Sequence, residues 1–340
     1  MKTKIVYVVA SHDDDIYMEQ AIVSAWSACH YTSNCQIEMV CDQDTFATLE
    51  SGIRAQYKEL FNKIHVREFQ PEQSMKERSR WLKTTLREII KGDYLYLDTD
   101  TVVCEDLSYV DDFTFDLGMV LDGNVELKQS IFNEWVISQM QEMYNINVSE
   151  ETQYFNSGVV FARDCQCTHS FYHLWNELWV SSLQHFHRLR DQQPLMRANI
   201  DMGYVIKEMS GDLNCQVLES IKHLHTAHVV HFYNNYFCKS DTMTPFFKEI
   251  FLQIKETGLT DSIKGAILNC KSSFCSPSMP IPIEVAKHLK EIWNPNGIDH
   301  MIRNSKSYHT ISFIWQRFPK LMQLIETTLG ALIRVWQFRK

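Results

Sequence analysis

The sequence predicts an α/β fold in which helices flank a mostly parallel sheet. Apolar strands and helical segments alternate through the first hundred residues with short connections, which is the pattern of βαβ units. The strand at 4–10 is continuously apolar, as expected of a strand covered on both faces. The chain has 340 residues, more than one hydrophobic core usually supports, so we expect one large domain and an appendage.

The other elements follow from hydrophobic periodicity and from the positions of glycine and proline. Gly92 separates the predicted helix at 74–91 from the predicted strand at 94–97. A proline-punctuated linker begins at Ser276 and divides a domain at 1–275 from a C-terminal helical segment at 276–340. We predict strands at 36–42, 63–69, 94–97, 118–121 and 157–162 and helices at 18–28, 43–62, 74–91 and 168–190.

Composition and charge exclude some classes of protein. The formal net charge of −9 and the pI near 5.9 disfavour a nucleic-acid-binding protein, which generally has a basic surface. The first apolar run is too short for a signal peptide, and no uncharged apolar run approaches the roughly 18 residues of a membrane span. The ten cysteines form no CxxC pair. We therefore expect a cytoplasmic protein with reduced thiols.

Two aspartates directly follow the predicted strand at 94–97. Residues i and i+2 of an extended chain point to the same side, so Asp98 and Asp100 can face one point. Two close carboxylates repel unless a cation lies between them, and a hard divalent ion bound to phosphate oxygens is the natural occupant. The apolar strand before the pair favours a metal-binding motif over a solvated loop.

Two enzyme classes use this arrangement. Asp98-Thr99-Asp100-Thr101-Val102 fits the first motif of haloacid-dehalogenase-type phosphatases, in which Asp98 would be the nucleophile and Asp100 the acid/base. That class places the motif on its first strand and adds a later acidic motif, whereas here the strand is about the fourth and Gly211-Asp212 lacks a second acid. The other class is the nucleotide-sugar glycosyltransferase of GT-A type.

Further segments favour the second class. They are Val8-Val9-Ala10-Ser11 with Tyr17, Arg80-Trp81-Leu82-Lys83, Met119-Val120-Leu121-Asp122, Tyr154–Val160, Arg190–Pro194 and Val229-Val230-His231-Phe232. In this order over roughly 4–240, they resemble the retaining GT-A glycosyltransferases of family 8, which include bacterial lipopolysaccharide galactosyl- and glucosyltransferases and glycogenin. The resemblance implies a Rossmann-like sheet, a nucleotide-binding part at about 1–105 and an acceptor part at about 106–275.

The resemblance implies a nucleotide site on the first strand and its loop. Tyr17 would stack on uracil, and Ala10, Ser11 and Asp15 would contact the base and ribose. Three consecutive aspartates blur this correspondence, and we choose Asp15 among them. The alternative is a solvated acidic loop, with Tyr17 packed on its helix.

The resemblance also implies a metal-bridged donor diphosphate. The Asp98-Thr99-Asp100 motif and His231 would form this site, and mixed Asp/His ligation suits Mn²⁺ better than Mg²⁺, which stays possible. Arg80 or Lys83 would supply the cation that a diphosphate needs besides the metal, unless both belong to a solvated helix face. Lys239 is a further candidate. A competing hypothesis is a zinc site made by His223, His225, His228 and His231.

A third set of residues would bind the sugars. In the family, an aspartate at the position of Asp122 bonds the acceptor or donor sugar, and Asn156 suits a sugar hydroxyl because its amide both donates and accepts. Asp191 would bind donor-sugar hydroxyls, and Gln192 would lie near the anomeric carbon. The family has a second aspartate where this chain has Gln193, which permits an inactive nucleotide-sugar binder as an alternative.

The implied reaction transfers a hexose from UDP-galactose or UDP-glucose to a saccharide or lipid-linked acceptor with retention, as in cell-surface polysaccharide synthesis. Metal and cationic side chains would neutralise the leaving diphosphate. The segment 301–340 has seven basic residues and one acid, a net charge of +6 that leaves −15 for residues 1–300. Its apolar residues recur at helical spacing, which favours peripheral binding to an anionic membrane over a helix packed on the domain or on a partner. They are Leu321, Ile325, Leu329, Leu332 and Trp336.

Overall fold

The computed structural model describes residues 1–130, 132–149, 152–217, 219–232 and 245–274, without the side chains of 245–249 and 273–274. The predicted linker, the amphipathic tail and Lys239 lie outside these residues. The strands are β1 (Lys4–Val9), β2 (Ile37–Asp42), β3 (Lys63–Arg67), β4 (Tyr94–Leu97), β5 (Thr101–Val103), β6 (Leu117–Leu121), β7 (Phe155–Ala162), β8 (Lys207–Glu208), β9 (Cys215–Gln216) and β10 (Val229–His231).

Helices connect most of these strands. The α-helices are α1 (Tyr17–Tyr31), α2 (Gln43–Thr48), α3 (Gly52–Ala55), α4 (Met75–Thr84), α5 (Leu86–Ile89), α6 (Asn133–Tyr144), α7 (Gln166–Phe186), α8 (Gln192–Asp201), α9 (Pro245–Thr257), α10 (Asp261–Leu268) and α11 (Cys270–Phe274). Short 3₁₀ turns lie at Lys58–Leu60, Ser108–Asp112, Asp122–Asn124, Leu127–Gln129 and Gly211–Leu213.

The central sheet confirms the predicted α/β class. Its strand order is β3-β2-β1-β4-β7-β6-β8. β1 pairs in parallel with β2 and β4, β2 with β3, and β6 with β8, whereas β7 runs antiparallel to both neighbours. The sheet is therefore mostly parallel, and the carboxyl ends of β1, β4 and β6 meet at one edge.

Alternate side chains of β1 enter two different cores, which makes the domain three layers thick. Ile5, Tyr7 and Val9 pack with apolar residues of α1 on one face. Val6 and Val8 pack with residues of α4, α5 and α7 on the other. Because both faces of β1 are covered, its continuous apolar run is explained.

A second, smaller sheet of three strands has the order β5-β10-β9. β10 is antiparallel to β5 and parallel to β9, and the β5–β10 register places His231 opposite Thr101. This sheet begins immediately after the Asp98–Asp100 motif. It therefore brings the C-terminal part of the domain back to the end of β4.

Three predicted helices differ from the structure. The segment at 43–62 is divided into α2, α3 and a 3₁₀ turn, because Gly52 adopts a φ of 73° at the break. The segment at 74–91 is interrupted at Thr85, whose Oγ1 donates 2.8 Å to the carbonyl of Trp81. The predicted helix at 168–190 begins at Gln166 and ends at Phe186, since His187 adopts a left-handed conformation with φ 52°.

Two whole-chain expectations concern cysteines and membranes. The cysteines in the described ranges are free thiols: Cys29, Cys35, Cys41, Cys104, Cys165, Cys167, Cys215 and Cys270. In the part of the chain that the structure describes, none of the helices combines the length and the apolarity that crossing a bilayer requires.

Candidate active site

The residues with reactive polar groups meet at the carboxyl edge of the central sheet. β4 and β6 lead into Asp98 and Asp122, and the antiparallel β7 starts at the same edge with Asn156 among its first residues. A cleft opens here. Its lining includes Tyr17, Gln20, Arg80, Lys83, Tyr96, Asp98, Thr99, Asp100, Asn156, Ser157, Gly158, Asp191, Gln192 and His231.

Asp98 is held firmly at the end of β4. Its backbone N–H donates 2.7 Å to the carbonyl of Gly158 on β7. Its carboxylate accepts from Lys83 Nζ at 3.0 Å to Oδ1 and 3.3 Å to Oδ2, and from the hydroxyl of Tyr96. The side chain of Lys83 is only 3% exposed. A buried ammonium thus lies directly beside the first aspartate of the motif.

A chain of hydrogen bonds fixes the proton of His231. The backbone N–H of Gly158 can only donate, so the atom of Asn156 that it meets at 2.9 Å is Oδ1. Asn214 Nδ2 donates to the same oxygen at 2.9 Å, which turns Asn214 Oδ1 toward His231 Nδ1, also at 2.9 Å. Nδ1 therefore carries hydrogen, and Nε2 is the ring nitrogen on the side of Asp100.

The other ring nitrogen of His231, Nε2, lies beside a carboxylate. Asp100 Oδ1 lies 3.1 Å from His231 Nε2, an arrangement that is repulsive unless the ring gains a second proton or a cation lies between the two atoms. Asp98, Asp100 and His231 each offer a ligand atom, and these atoms lie within 4.8 Å of one another. Two carboxylates and an imidazole nitrogen fit a divalent ion such as Mn²⁺.

The second polar cluster centres on Asp122. Its Oδ1 accepts from Asn156 Nδ2 at 3.0 Å and from Gln192 Nε2 at 2.8 Å. Burial raises the pKa of Asp122, and the two amide donors oppose this by favouring the charged form. The amide nitrogen of Gln192 is directed at the Asp122 carboxylate. The amide oxygen, Oε1, is therefore the atom of this side chain that can accept from another group.

Asp191 lies in an ion-pair cluster. Arg80 Nε lies 3.2 Å from its Oδ1 and Lys83 Nζ 3.6 Å from its Oδ2, while Ser157 Oγ donates to Oδ2 at 2.9 Å. Burial raises the pKa of this carboxyl, but Arg80, Lys83 and Ser157 together outweigh burial and lower it to about 2. Both candidate cations therefore line the cleft, and Lys83 bridges Asp98 and Asp191.

The predicted nucleotide loop divides into two groups. Tyr17 lines the cleft, whereas Ala10, Ser11 and Asp15 are not part of its lining. Asp15 accepts from Ser11 Oγ at 2.5 Å, from the backbone of His12 at 2.7 Å and from the backbone of Tyr17 at 3.0 Å. In this structure the Asp15 carboxylate therefore closes the loop that starts α1.

Two of the four histidines of the zinc hypothesis bind partners away from the others. His223 Nδ1 lies 3.1 Å from Asp212 Oδ1, and His228 Nδ1 lies 2.8 Å from the carbonyl of Asp106. Among the described residues, the group that could hold a metal contains His231 and none of the other three. The zinc hypothesis is therefore wrong.

Gln193 is buried on α8 with its Nε2 3.4 Å from the hydroxyl of Tyr154.

Sequence reasoning missed several residues of the site. Asn214 orients His231, Tyr96 binds Asp98, Ser157 binds Asp191, and Gln20 lines the cleft on α1. Gln20 follows Tyr17 by three residues and so shares its helix face, a spacing from which it could have been found. Asn214 belongs to no motif that we identified.

No family model and no curated protein sequence matches the chain, but solved structures do. The galactosyltransferase LgtC, in complex with donor and acceptor sugar analogs, is 15% identical, with 77% of this chain and 99% of that chain covered and a TM-score of 0.51. Mouse xyloside xylosyltransferase 1 is 11% identical, with 69% of this chain and 99% of that chain covered and a TM-score of 0.48. The bifunctional glycosyltransferase WbbM is 12% identical, with 68% of this chain and 45% of that chain covered and a TM-score of 0.48. The likeness to LgtC concerns the fold. The chain has a GT-A glycosyltransferase fold.

Proposed function

We propose that this chain is a metal-dependent, retaining glycosyltransferase of the family 8 type, which transfers galactose or glucose from a UDP-sugar to a saccharide or lipid-linked acceptor. One observation carries the proposal. A single cleft in a GT-A fold is lined by the Asp98, Asp100 and His231 group, by the cations Arg80 and Lys83, and by the amides Asn156 and Gln192. Asp122 is not part of the lining, but its carboxylate accepts hydrogen bonds from both of these amides.

The three parts of the cleft match the three parts of a UDP-sugar. Tyr17 on α1 offers an aromatic face for the base. The Asp98–Asp100 motif and His231 lie at the end of β4, where they would hold Mn²⁺ or Mg²⁺ against the diphosphate. Asp122 and Gln192 form the polar cluster for sugar hydroxyls.

The metal, when bound, would neutralise negative charge on the leaving diphosphate. The chain's own residues prepare the rest. Lys83 holds a positive charge between Asp98 and Asp191, at the boundary between the diphosphate and sugar regions. Because Lys83 is buried, that charge acts where water screens it little.

The sugar region is arranged to stabilise a cationic sugar carbon. Asp122 fixes Gln192 Nε2, so Gln192 Oε1 would face the positive charge that develops at the anomeric carbon. Asp122 and Asp191 are already engaged by amides or cations. We therefore assign the acceptor hydroxyl proton to an oxygen of the leaving diphosphate, which places attack on the same face and retains configuration.

The phosphatase alternative is not favoured. Asp98 follows β4, the fourth strand in chain order, and its carboxylate is bound by Lys83 and Tyr96. A phosphatase nucleophile of that class follows the first strand.

The proposed acceptor determines the proposed location. A lipid-linked acceptor in cell-surface polysaccharide synthesis would place the enzyme at the cytoplasmic face of the membrane, where the basic segment 301–340 could bind anionic lipid. The proposal of glycosyl transfer rests on the cleft and not on this segment.

A panel of nucleotide sugars tests the proposal. The full-length protein with Mn²⁺ should release UDP from UDP-galactose or UDP-glucose and leave GDP- and CMP-sugars unchanged. With an acceptor, NMR of the product should give the small anomeric coupling of an α linkage. Phosphate release from phosphomonoesters without UDP release, or a β product, would contradict the assignment.

A further inference from the structure

Gln20 has an unused hydrogen-bond donor at the cleft. It lies on α1, one turn after Tyr17, and is one of the residues that line the cleft, although it is only 1% exposed. Its Oε1 accepts from Thr99 Oγ1 at 3.4 Å. Its Nε2 is buried and has no hydrogen-bond partner in the part of the chain that the structure describes.

A buried amide nitrogen without a partner destabilises a protein, so such groups need an explanation. Other side chains in the described ranges share this feature, and Gln20 is the member of the set that lines the cleft. The others are Arg87, Tyr94, Gln139, Tyr144 and Ser182. A ligand in the cleft would therefore satisfy Gln20 and leave the others unchanged.

The position of Gln20 identifies the half of the ligand that it meets. Under the proposed function, the Asp98, Asp100 and His231 group would hold the diphosphate through its metal, and Asp122 with its amide partners would bind the sugar. Gln20 extends from α1, the helix of Tyr17, and reaches the motif through Thr99 rather than through either aspartate. The hydroxyl of Thr99 occupies Oε1, so the amide presents an N–H donor to its ligand.

We propose that Gln20 donates a hydrogen bond to an acceptor oxygen in the nucleoside half of the donor substrate, a base carbonyl or a ribose hydroxyl. This inference rests on the proposed function. It adds a binding residue outside the motifs that carry the family resemblance. It also explains why the helix that bears Tyr17 has a buried amide beside Thr99.

Gln20→Met tests the inference, because methionine has a similar length and cannot form this bond. The matched control is Gln139→Met. Gln139 lies on α6 and is also a buried glutamine, and its amide oxygen has no hydrogen-bond partner among the described residues. Calorimetry with the full-length proteins in Mn²⁺ buffer would measure the affinities for UDP and inorganic diphosphate. Urea unfolding would measure stability.

We expect Gln20→Met to bind UDP roughly five- to tenfold more weakly, the loss of one hydrogen bond, with unchanged affinity for inorganic diphosphate. Its stability should equal or exceed that of the wild type, because an unsatisfied donor is removed. Gln139→Met should bind both ligands normally. Thr99→Val removes the hydroxyl that holds Gln20 Oε1, so the Gln20 amide can rotate. This variant should weaken UDP binding by a smaller factor than Gln20→Met, and it replaces Gln20→Met as the test if that variant fails to fold.

Equal UDP affinity in wild type, Gln20→Met and Thr99→Val would overturn the inference and leave the proposed function standing. If Gln20→Met weakens the binding of UDP and of inorganic diphosphate equally, the assignment of Gln20 to the nucleoside half would be overturned. A loss of stability in Gln20→Met with normal UDP affinity would show a purely structural role. If the wild type binds neither ligand, the inference and the proposed function fail together.

Discussion

A Cβ atom at Gly158 would lie 2.4 Å from Cε1 of His231, so glycine is required where β7 passes the imidazole. The same atom would lie 2.8 Å from His231 Nδ1 and 2.8 Å from Asn156 Oδ1. The backbone of β7 thus forms one wall of the histidine site, and Asn214 binds the ring at Nδ1. The two contacts fix the ring beside Asp100.

Gly158→Ala should displace His231 and weaken metal binding. A methyl group forced into this contact should lower stability by about 1–3 kcal/mol and reduce Mn²⁺ affinity at least tenfold, measured by urea unfolding and by electron paramagnetic resonance titration. Gly265→Ala is the control, because a Cβ there meets no atom within 4 Å and should be neutral or stabilising. Normal Mn²⁺ affinity in Gly158→Ala would contradict the assignment of His231.

Asn214→Leu should weaken Mn²⁺ binding by about 10- to 100-fold, since the histidine would lose the bond that selects its tautomer. Asn199→Leu provides the comparison. Asn199 is also buried, and its Oδ1 accepts from the backbone of Ile206 at 3.0 Å, away from the cleft. That variant should lose stability and keep its metal affinity. Equal affinities in both variants would refute the orienting role of Asn214.

Asp191 should make stability depend on pH in acid. Its pKa is about 2 in the folded protein, below the ordinary 3.8, so its ion pairs stabilise the fold fully above about pH 5. This contribution is lost as the pH falls through 3.8 toward 2. Asp191→Asn lacks the titration, so the stability difference between wild type and variant should shrink by about 2 kcal/mol between pH 5 and pH 2. A pH-independent difference in urea unfolding would show that Asp191 is not ion-paired.

Removing residues 301–340 should separate membrane binding from catalysis. This segment carries a net charge of +6, and each basic residue near an anionic leaflet contributes about 1 kcal/mol. The truncated protein should hydrolyse UDP-sugar normally but no longer sediment with anionic vesicles, and added salt should weaken vesicle binding of the full-length protein. Equal sedimentation of both proteins, or of neither, would exclude a membrane anchor. Aggregation with loss of hydrolysis would indicate a packed helix instead.

The site residues at the ends of strands could be predicted from the sequence. Asp98 and Asp122 directly follow apolar strands, and parallel strands place their carboxyl ends at one edge of a sheet. An uninterrupted apolar run of four or five residues suffices to locate each of these strands. The meeting of both residues in one region could therefore be predicted without knowing any contact.

The smaller sheet could not be predicted from the sequence in the same way. β5, β9 and β10 have only two or three residues each, too few for a periodic pattern, yet they carry His231 to Asp100 and place Asn214 beside it. His231 was found only through the family resemblance. The breaks at Gly52 and Thr85 depend on a positive φ and on side-chain bonds to the backbone, which hydrophobic periodicity does not report.

The initial rate of UDP release from UDP-hexose tests the central claim most directly. It should be compared for wild type in Mn²⁺, wild type in excess chelator, and Asp100→Ala in Mn²⁺, with the exposed Asp261→Ala as the control. We predict release by wild type and by the control in Mn²⁺, and nearly complete loss in chelator and in Asp100→Ala, because an unneutralised diphosphate is a poor leaving group. Full activity in chelator, or in Asp100→Ala, would contradict the metal-dependent glycosyltransferase.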